Sequence, residues 1–391
     1  MFSKFFASLQ NLDDRSRIKL SIRILFIALI AGMLLSWRLW LTERDFPLTP
    51  LLSIPEFSRN ISIDLFALIL LFAFALVFLP SKKKLMISLF ILLFLEFLGD
   101  QNRWQPWCYQ YFLMLFLLLF YQTGNTKSES SILNAFRLII CGIYCWSGIQ
   151  KLNPEFYNST AAWLTEPVGQ YFGSMISVVS LKITKIIPVV ELFLAFGLMH
   201  HRTRTLAVWI AVVMHTYIIL LVTPLGKNYN YVIIPWNSAM ICFLFLIFRK
   251  GNDITLSSVF NTLKTKYVFP VFILVWLLPF LSLFGKWPSY LSASLYSGNS
   301  DNAYIYVSKR LKDSLPKELN VLVHTQEDTL YYVYVNEWSI KELQAPAYPE
   351  ESVFKSARNV FLRFANDSDE VKLLVEKKFT LMEKSHYVYL K

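Results

Sequence analysis

The chain has 391 residues, of which 55% are apolar and 17% are charged, and its mean hydropathy is +0.44. This composition excludes an ordinary soluble globular protein and predicts a chain that lies in a lipid bilayer. The formal net charge is +11, but the Lys and Arg residues are spread over loops between apolar runs, so nucleic acid is not expected as a partner.

Residues 1–17 carry Phe and Leu at a helical spacing, which predicts an amphipathic segment on the cytoplasmic membrane surface. A frayed polar lead-in is the alternative. A membrane-spanning helix needs about 20 mostly apolar residues. Nine stretches are predicted as spans, and they lie at residues 18–41, 64–79, 85–98, 107–121, 133–150, 178–199, 206–225, 232–248 and 268–284. The predicted fold of residues 18–285 is therefore an all-α polytopic membrane bundle of about nine transmembrane helices.

The positions of the basic residues predict how the bundle is oriented. Lys and Arg in short loops favour the cytoplasmic side of a membrane. Basic clusters such as Lys82–Lys84 and Arg202–Arg204 alternate along the chain with loops that hold few cations. The alternation predicts a multi-pass protein of the plasma (inner) membrane, with the N-terminus in the cytoplasm and the C-terminal domain outside.

Polar and aromatic residues concentrate in three loops on the predicted outer side, at residues 100–107, 148–166 and 224–231. Tryptophans there are typical of an interfacial aromatic belt. A belt does not explain the neighbouring arginine and glutamines, which favour either a satisfied polar network or the mouth of a ligand site. The candidate ligand-binding residues are Arg103, Trp104, Gln105, Trp146 and Gly148.

Lys151 stands where a long apolar helix runs into the second of these loops. One interpretation is a cation that extends to the lipid headgroups. The other is a lysine desolvated in an apolar cavity, where a neutral amine can take a proton. Gly148, one turn earlier, would let a flat ligand or a neighbouring helix approach closely.

Two ionisable residues fall inside later spans, Glu191 in the sixth and His215 in the seventh. Ionisable groups at such depth face the bundle interior or water and usually have a partner. Because the two spans are consecutive, a hydrogen bond between Glu191 and His215 is predicted. The pair either joins two helices or handles protons. No zinc-type cluster of Cys and His appears, so no metal is predicted.

Beyond residue 285 the apolar runs stop, and residues 286–391 are predicted to form a small α+β domain outside the membrane. The β-branched and aromatic content predicts strands at 303–307, 320–324, 329–335 and 379–383. Apolar residues recur on one helical face between 353 and 364.

Several of these residues together resemble a known family. The similar positions are Ser147-Gly148-x-x-Lys151-Leu152 at a helix end, Trp163, Glu191-Leu192, and Arg202-Thr203-Arg204 before a helix with His215. The pattern resembles the vitamin K-dependent carboxylase-like, or HTTM, membrane family, and more distantly DoxX/MauE-type membrane proteins. The resemblance covers roughly residues 23–248, and segments 100–111 and 338–350 look like accessory motifs of bacterial members.

The resemblance implies a role for Lys151. In the family's carboxylase, the lysine of the matching Lys-Leu motif deprotonates reduced vitamin K, which drives oxygenation of the quinol and carboxylation of glutamate. It thus implies a quinol-dependent oxygenase or carboxylase-like enzyme with Lys151 as base, supported by His215 and Glu191, and a reduced quinone as cofactor. The alternative is a non-catalytic scaffold or assembly factor whose external domain binds a protein partner. A transporter is a third and weaker alternative.

Overall fold

The computed structural model describes residues 12–52, 59–248, 255–327 and 329–390. Most of the predicted lead-in, residues 1–11, lies outside the described part. The first helix begins at Asp14, before the predicted start at residue 18. Asp13 caps it, because its side chain accepts the backbone N–H of Ser16 at 2.9 Å.

Twelve α-helices form the bundle within the described ranges. In chain order they are α1 Asp14–Leu35, α2 Trp37–Trp40, α3 Arg59–Phe78, α4 Lys83–Gly99, α5 Pro106–Leu118, α6 Thr126–Gln150, α7 Ala161–Thr184, α8 Ile187–Gly197, α9 Arg204–Val222, α10 Ile233–Phe243, α11 Leu256–Asn261 and α12 Val268–Phe272. Helix α10 continues as a π-helix over Leu244–Phe248, and α12 continues through Ile273–Leu277 to a 3₁₀ segment, Leu278–Phe284. Helix α6 is the most buried of the long apolar helices and lies at the centre of the bundle.

Four helices in the described part of the chain are long and apolar enough to cross a membrane: Asp14–Leu35, Asn60–Phe78, Thr126–Gln150 and Arg204–Val222. A fifth span results if Leu256–Lys264 and Val268–Phe284, bent by 118° at their junction, count as one. These four or five helices are fewer than the nine predicted spans. The remaining apolar stretches form helices too, but most are shorter than about 20 residues.

The sixth predicted span, residues 178–199, does not form one helix. Residues 161–184 fold into two helical halves that meet at Gly173, which adopts φ 81° and ψ 175°. A Cβ atom on Gly169 would lie 2.8 Å from Oγ of Ser177, whereas a straight helix would separate residues eight apart by about 12 Å. The chain therefore reverses at Gly173, a conformation that favours glycine, and the short helix α8 follows.

Side chains of the central helix α6 form hydrogen bonds with later segments of the chain at two levels. In its N-terminal half, Arg137 donates to the carbonyl of Ile247 at 2.8 Å, and Asn134 donates to that of Ser258 at 3.2 Å. At its C-terminal end, Gln150 accepts from Asn299, at 2.9 Å, in the segment that leads to the C-terminal domain. The C-terminal domain therefore lies at the end of the bundle where Lys151 is found.

In its described residues, the C-terminal domain contains one antiparallel sheet and four α-helices. Its strands are β1 Asn302–Val307, β2 His324–Gln326, β3 Leu330–Tyr334, β4 Val371–Lys377 and β5 His386–Leu390, in the order β2-β3-β1-β4-β5. Its helices are α13 Lys309–Ser314, α14 Lys317–Asn320, α15 Val335–Leu343 and α16 Glu351–Leu362. The predicted α+β character is confirmed, and so are the predicted strands that correspond to β1 and β3 and the helix that corresponds to α16.

Two predicted strands are wrong. At 320–324 the chain leaves α14 in a turn, and β2 begins only at His324. At 379–383 the chain forms a tight loop between β4 and β5, because the Thr380 hydroxyl accepts the backbone N–H of Glu383 at 2.9 Å. Both segments have strand-like composition, but local hydrogen bonds to the backbone replace pairing with a neighbouring strand.

Glu370 links the start of β4 to the first helix of the C-terminal domain. Its carboxylate pairs with Arg310, accepts the N–H of Asn366 at 2.9 Å and the hydroxyl of Ser308 at 3.1 Å. The hydrogen bond from Arg310 is the main cause that lowers the pKa of Glu370 to about 2.

This lowered pKa predicts a pH dependence. Because the folded pKa lies below the ordinary Glu value of about 4.3, the stabilisation by Glu370 is present above that value and is lost as pH falls towards 2. We expect Glu370→Gln to lower the thermal midpoint at neutral pH, and the difference from wild type to shrink between about pH 5 and pH 2. Thermal unfolding in detergent across this pH range measures the effect. A difference independent of pH would contradict it.

Candidate functional site

A cavity of about 110 Å³ lies inside the bundle below the C-terminal domain. All three candidate catalytic residues, Lys151, Glu191 and His215, line it. A single water molecule needs roughly 10–15 Å³ on the same measure, so the space admits a larger group. Most of the remaining wall is apolar, and it comes from helices α5 to α10 and from residues 293–296.

Gly148 determines how closely α8 approaches α6. A Cβ atom at this position would lie 2.7 Å from the carbonyl oxygen of Pro188 and 3.1 Å from the backbone nitrogen of Leu192. No other residue leaves room for the backbone of α8 there. Of the two alternatives for Gly148, close approach by a neighbouring helix is the one observed, and the approach brings Glu191 to Lys151.

Lys151 and Glu191 form a buried ion pair. Nζ of Lys151 lies 2.9 Å and 3.1 Å from the two carboxylate oxygens of Glu191, and it donates to Oγ of Ser147 at 2.6 Å. Both side chains are 7% exposed, so the Coulombic attraction is little screened by water. Lys151 is therefore buried beside a carboxylate partner, which neither interpretation of the sequence had named.

The predicted hydrogen bond between Glu191 and His215 is wrong, because each residue has other partners. Nδ1 of His215 lies 2.6 Å from Oδ1 of Asn237, whose amide nitrogen donates to the carbonyl of Ile233 at 2.8 Å. This orientation of the amide requires the proton on Nδ1 of His215. Nε2 is then an acceptor, and the Tyr144 hydroxyl donates to it at 2.6 Å.

The site therefore holds two polar units side by side in an apolar wall. One is the ion pair, and the other is a chain of hydrogen bonds from Tyr144 through His215 to Asn237. In the second unit, Tyr144 supplies a hydroxyl, His215 can act as a base for it, and Asn237 orients the His215 ring. Tyr144 and Asn237 were not identified from the sequence, since a Tyr or an Asn within an apolar helix carries no distinguishing spacing. Ser147 was named only as part of the motif that ends at Leu152, without a role.

The candidate ligand-binding residues lie elsewhere. Arg103 is buried against Glu96 and donates to the carbonyls of Leu39 and Trp40, at 3.1 Å and 3.2 Å. None of Arg103, Trp104, Gln105 and Trp146 belongs to the lining of the cavity. Of the two alternatives for the polar residues at 100–107, their contacts favour the satisfied polar network. The position of Arg103 does not support the predicted contact with a ligand in this cavity.

The other three candidates have structural partners. Trp104 donates from its indole to the carbonyl of Phe97 at 3.0 Å, and Gln105 donates to that of Pro346 at 2.9 Å. The indole of Trp146 donates to the carbonyl of Trp276 at 3.1 Å. Gln105 thereby joins the bundle to the C-terminal domain, and both tryptophans tie neighbouring segments together.

Tyr296 closes the cavity on the side of the C-terminal domain. It lines the cavity and also two polar clefts outside it, so its side chain is a wall shared by all three. Its ring stacks on Trp163 with centroids 6.0 Å apart, and its hydroxyl accepts from Asn230 at 3.0 Å. The backbone at Tyr296 has φ 57°, which is uncommon for a residue other than glycine. The surrounding contacts hold this conformation in place.

The apolar helices of spanning length define the chain as a membrane protein. Its interior site consists of an ion pair and a Tyr-His-Asn chain of hydrogen bonds beside a cavity. Comparisons of the chain with protein-family models, with curated proteins and with solved structures find no match.

Proposed function

We propose that this membrane protein binds a lipophilic quinol-type ligand in the cavity and removes a proton from it, with Lys151 as the base. The observation that carries the proposal is the joint presence of Lys151, Glu191 and His215 in one largely apolar cavity. Apolar walls suit the ring of such a ligand, and a few convergent polar groups suit its hydroxyl. The proposal includes membership of the vitamin K-dependent carboxylase-like, or HTTM, family.

The ion pair bears on how Lys151 would act as a base. As an ammonium it has no lone pair, so it must first give a proton to Glu191, whose carboxylate oxygens lie 2.9 Å and 3.1 Å from Nζ. The neutral amine then takes the proton of the ligand hydroxyl and, as an ammonium again, stabilises the oxyanion that remains. Tyr144 and His215 supply a second hydrogen-bonding site for a ligand oxygen.

The proposal extends to topology. The proposed topology keeps nine passes, in which apolar helices shorter than about 20 residues also cross the membrane. Hydrogen bonds of Asn134 and Arg137 to residues 258 and 247 support a common location for these segments, away from Lys151. At the other end, Gln150, Asn153 and Asn230 contact residues 296–299. With the basic clusters in the cytoplasm, Lys151 and the C-terminal domain lie on the outer side.

A non-catalytic scaffold is the second candidate, and one observation favours it. The three N–H donors of the Lys151 ammonium already have protein acceptors in Ser147 and Glu191. A lysine in this position can simply hold α6 against α8, and the exposed surface of the C-terminal domain would then bind a protein partner.

Mass spectrometry of small molecules that co-purify with the detergent-extracted chain tests the ligand. Ile218→Trp fills the cavity from α9, whereas Val213→Trp places the same ring on the same helix at a site that is 68% exposed. We expect an enriched quinone with wild type and Val213→Trp, and its loss from Ile218→Trp. Bulk phospholipid alone in all three samples would contradict ligand binding and favour the scaffold.

Lys151→Arg tests the base, because Arg keeps the charge and can pair with Glu191 but cannot serve as a neutral amine. We expect oxygen uptake on addition of a reduced naphthoquinone to the wild-type chain, and a loss of about 10²- to 10⁴-fold in Lys151→Arg. Equal rates in the two proteins would exclude Lys151 as the base. Retention of the co-purified quinone by Lys151→Arg shows that binding survives.

A further inference from the structure

The loop between β4 and β5 displays two large apolar side chains on the surface of the C-terminal domain. Leu381 is 61% exposed and Met382 is 75% exposed. Neither lies in the helical bundle, where exposed apolar residues are expected to face lipid. Two adjacent exposed apolar side chains at a loop tip indicate a contact surface rather than chance exposure.

Hydrogen bonds hold this loop in its shape. The Thr380 hydroxyl accepts the N–H groups of Met382 and Glu383, at 3.2 Å and 2.9 Å, and the N–H of Thr380 donates to the carbonyl of Glu383 at 2.9 Å. Because the turn is tight, the side chains at 381 and 382 do not pack into the core of the domain.

The loop is attached to the last apolar segment of the bundle. The N–H of Leu381 donates to the carbonyl of Leu283 at 2.8 Å, one residue before the segment Leu278–Phe284 ends. Phe280 and Leu281 of that segment are themselves exposed, so the apolar surface of the bundle continues onto the loop. Lys286 and Lys384, both exposed, flank this surface.

We propose that the β4–β5 loop inserts Leu381 and Met382 into the headgroup region of the bilayer that surrounds the bundle. The apolar pair reaches the acyl boundary, and the two lysines contact lipid phosphates, as in other interfacial membrane anchors. The loop thereby fixes the C-terminal domain against the membrane surface. This inference does not depend on a ligand in the cavity.

Nitroxide labelling of the full chain tests the insertion. Met382→Cys is labelled in a Cys242→Ala background, because Cys242 is exposed whereas the other three cysteines are buried. Asp369→Cys, at an exposed turn of the same domain, is the matched control. The chain is placed in phosphatidylcholine/phosphatidylglycerol nanodiscs, with one copy per disc in the main preparation and two copies per disc in a second.

In these discs we expect the label at 382 to collide more often with oxygen, which partitions into lipid, than with a water-soluble nickel chelate. The label at 369 is expected to show the reverse. A water-like profile at both positions would overturn the proposal. Protection of 382 that appears only in discs with two copies would also overturn it, in favour of contact with a second chain. Leu381→Asp is expected to shift the 382 label towards the water-like profile.

Discussion

Replacing Lys151 by methionine is expected to destabilise the protein by about 3–5 kcal/mol, which is the usual cost when one member of a buried ion pair is removed. The substitution leaves the carboxylate of Glu191 in an apolar cavity with no counter-charge. Because its side chain is only 7% exposed, water cannot compensate for the lost partner. Glu191→Met is expected to cost a similar amount for the converse reason. The thermal midpoint of the detergent-solubilised chain measures both effects.

The double variant Lys151→Met/Glu191→Met decides whether the ion pair is the cause. Because both charges are gone and the side chains are similar in volume, we expect it to recover most of the lost stability. The exposed pair of Lys355 and Glu351 is the control, and Lys355→Met is expected to change the midpoint little. If the two single effects simply add in the double variant, the Lys151–Glu191 pair does not carry the stability assigned to it.

The same ion pair changes how the function can be tested. Truncation of Lys151 to alanine would mix a loss of the base with damage to the fold, since Glu191 would remain buried and unpaired. Lys151→Arg separates the two effects because it retains the charge. A loss of activity in Lys151→Arg with an unchanged midpoint would support a base, whereas unchanged activity and midpoint would support an anchor.

Hydropathy predicted the positions of the long helices of the bundle well, but it did not predict where the chain breaks between helices. Composition alone predicts where the chain is apolar, and α1, α3, α6 and α9 lie within or close to predicted spans. The reversal at Gly173 was missed, because Gly173 lies between the predicted loop at 148–166 and the predicted span at 178–199, in a stretch to which no helix was assigned. That reversal is what places α8, and hence Glu191, beside the end of α6.

The ionisable residues of the site could be recognised from the sequence, but the way in which they pair could not. A Lys, a Glu and a His in apolar surroundings are conspicuous because each is costly there. Which of them meet depends on the close packing at Gly148, which brings together residues 40 positions apart. Consecutive spans suggested that Glu191 would meet His215, but each found a nearer partner, in Lys151 and in Asn237 and Tyr144.

Asp100 accounts for the second large effect that we expect. Its carboxylate pairs with Arg44 and accepts the N–H of Thr49 at 3.1 Å and the side-chain amide of Asn102 at 3.0 Å, and both members of the ion pair are fully buried. Asp100→Ala removes the counter-charge of Arg44 and is expected to cost about 3–5 kcal/mol. A lowered thermal midpoint in detergent is the measurement.

The same substitution is expected to loosen the C-terminal domain from the bundle. Asp100 orients Asn102, and Oδ1 of Asn102 accepts the backbone N–H of Tyr348 at 3.1 Å across the junction. We expect hydrogen exchange at Tyr348 to become faster in Asp100→Ala, because its acceptor is no longer held in place. Glu96→Gln is the control, since Glu96 pairs with Arg103 and makes no bond to Asn102. Glu96→Gln should lower the thermal midpoint without faster exchange at Tyr348. Equal exchange at Tyr348 in the two variants would show that Asp100 stabilises only the bundle and not its junction with the C-terminal domain.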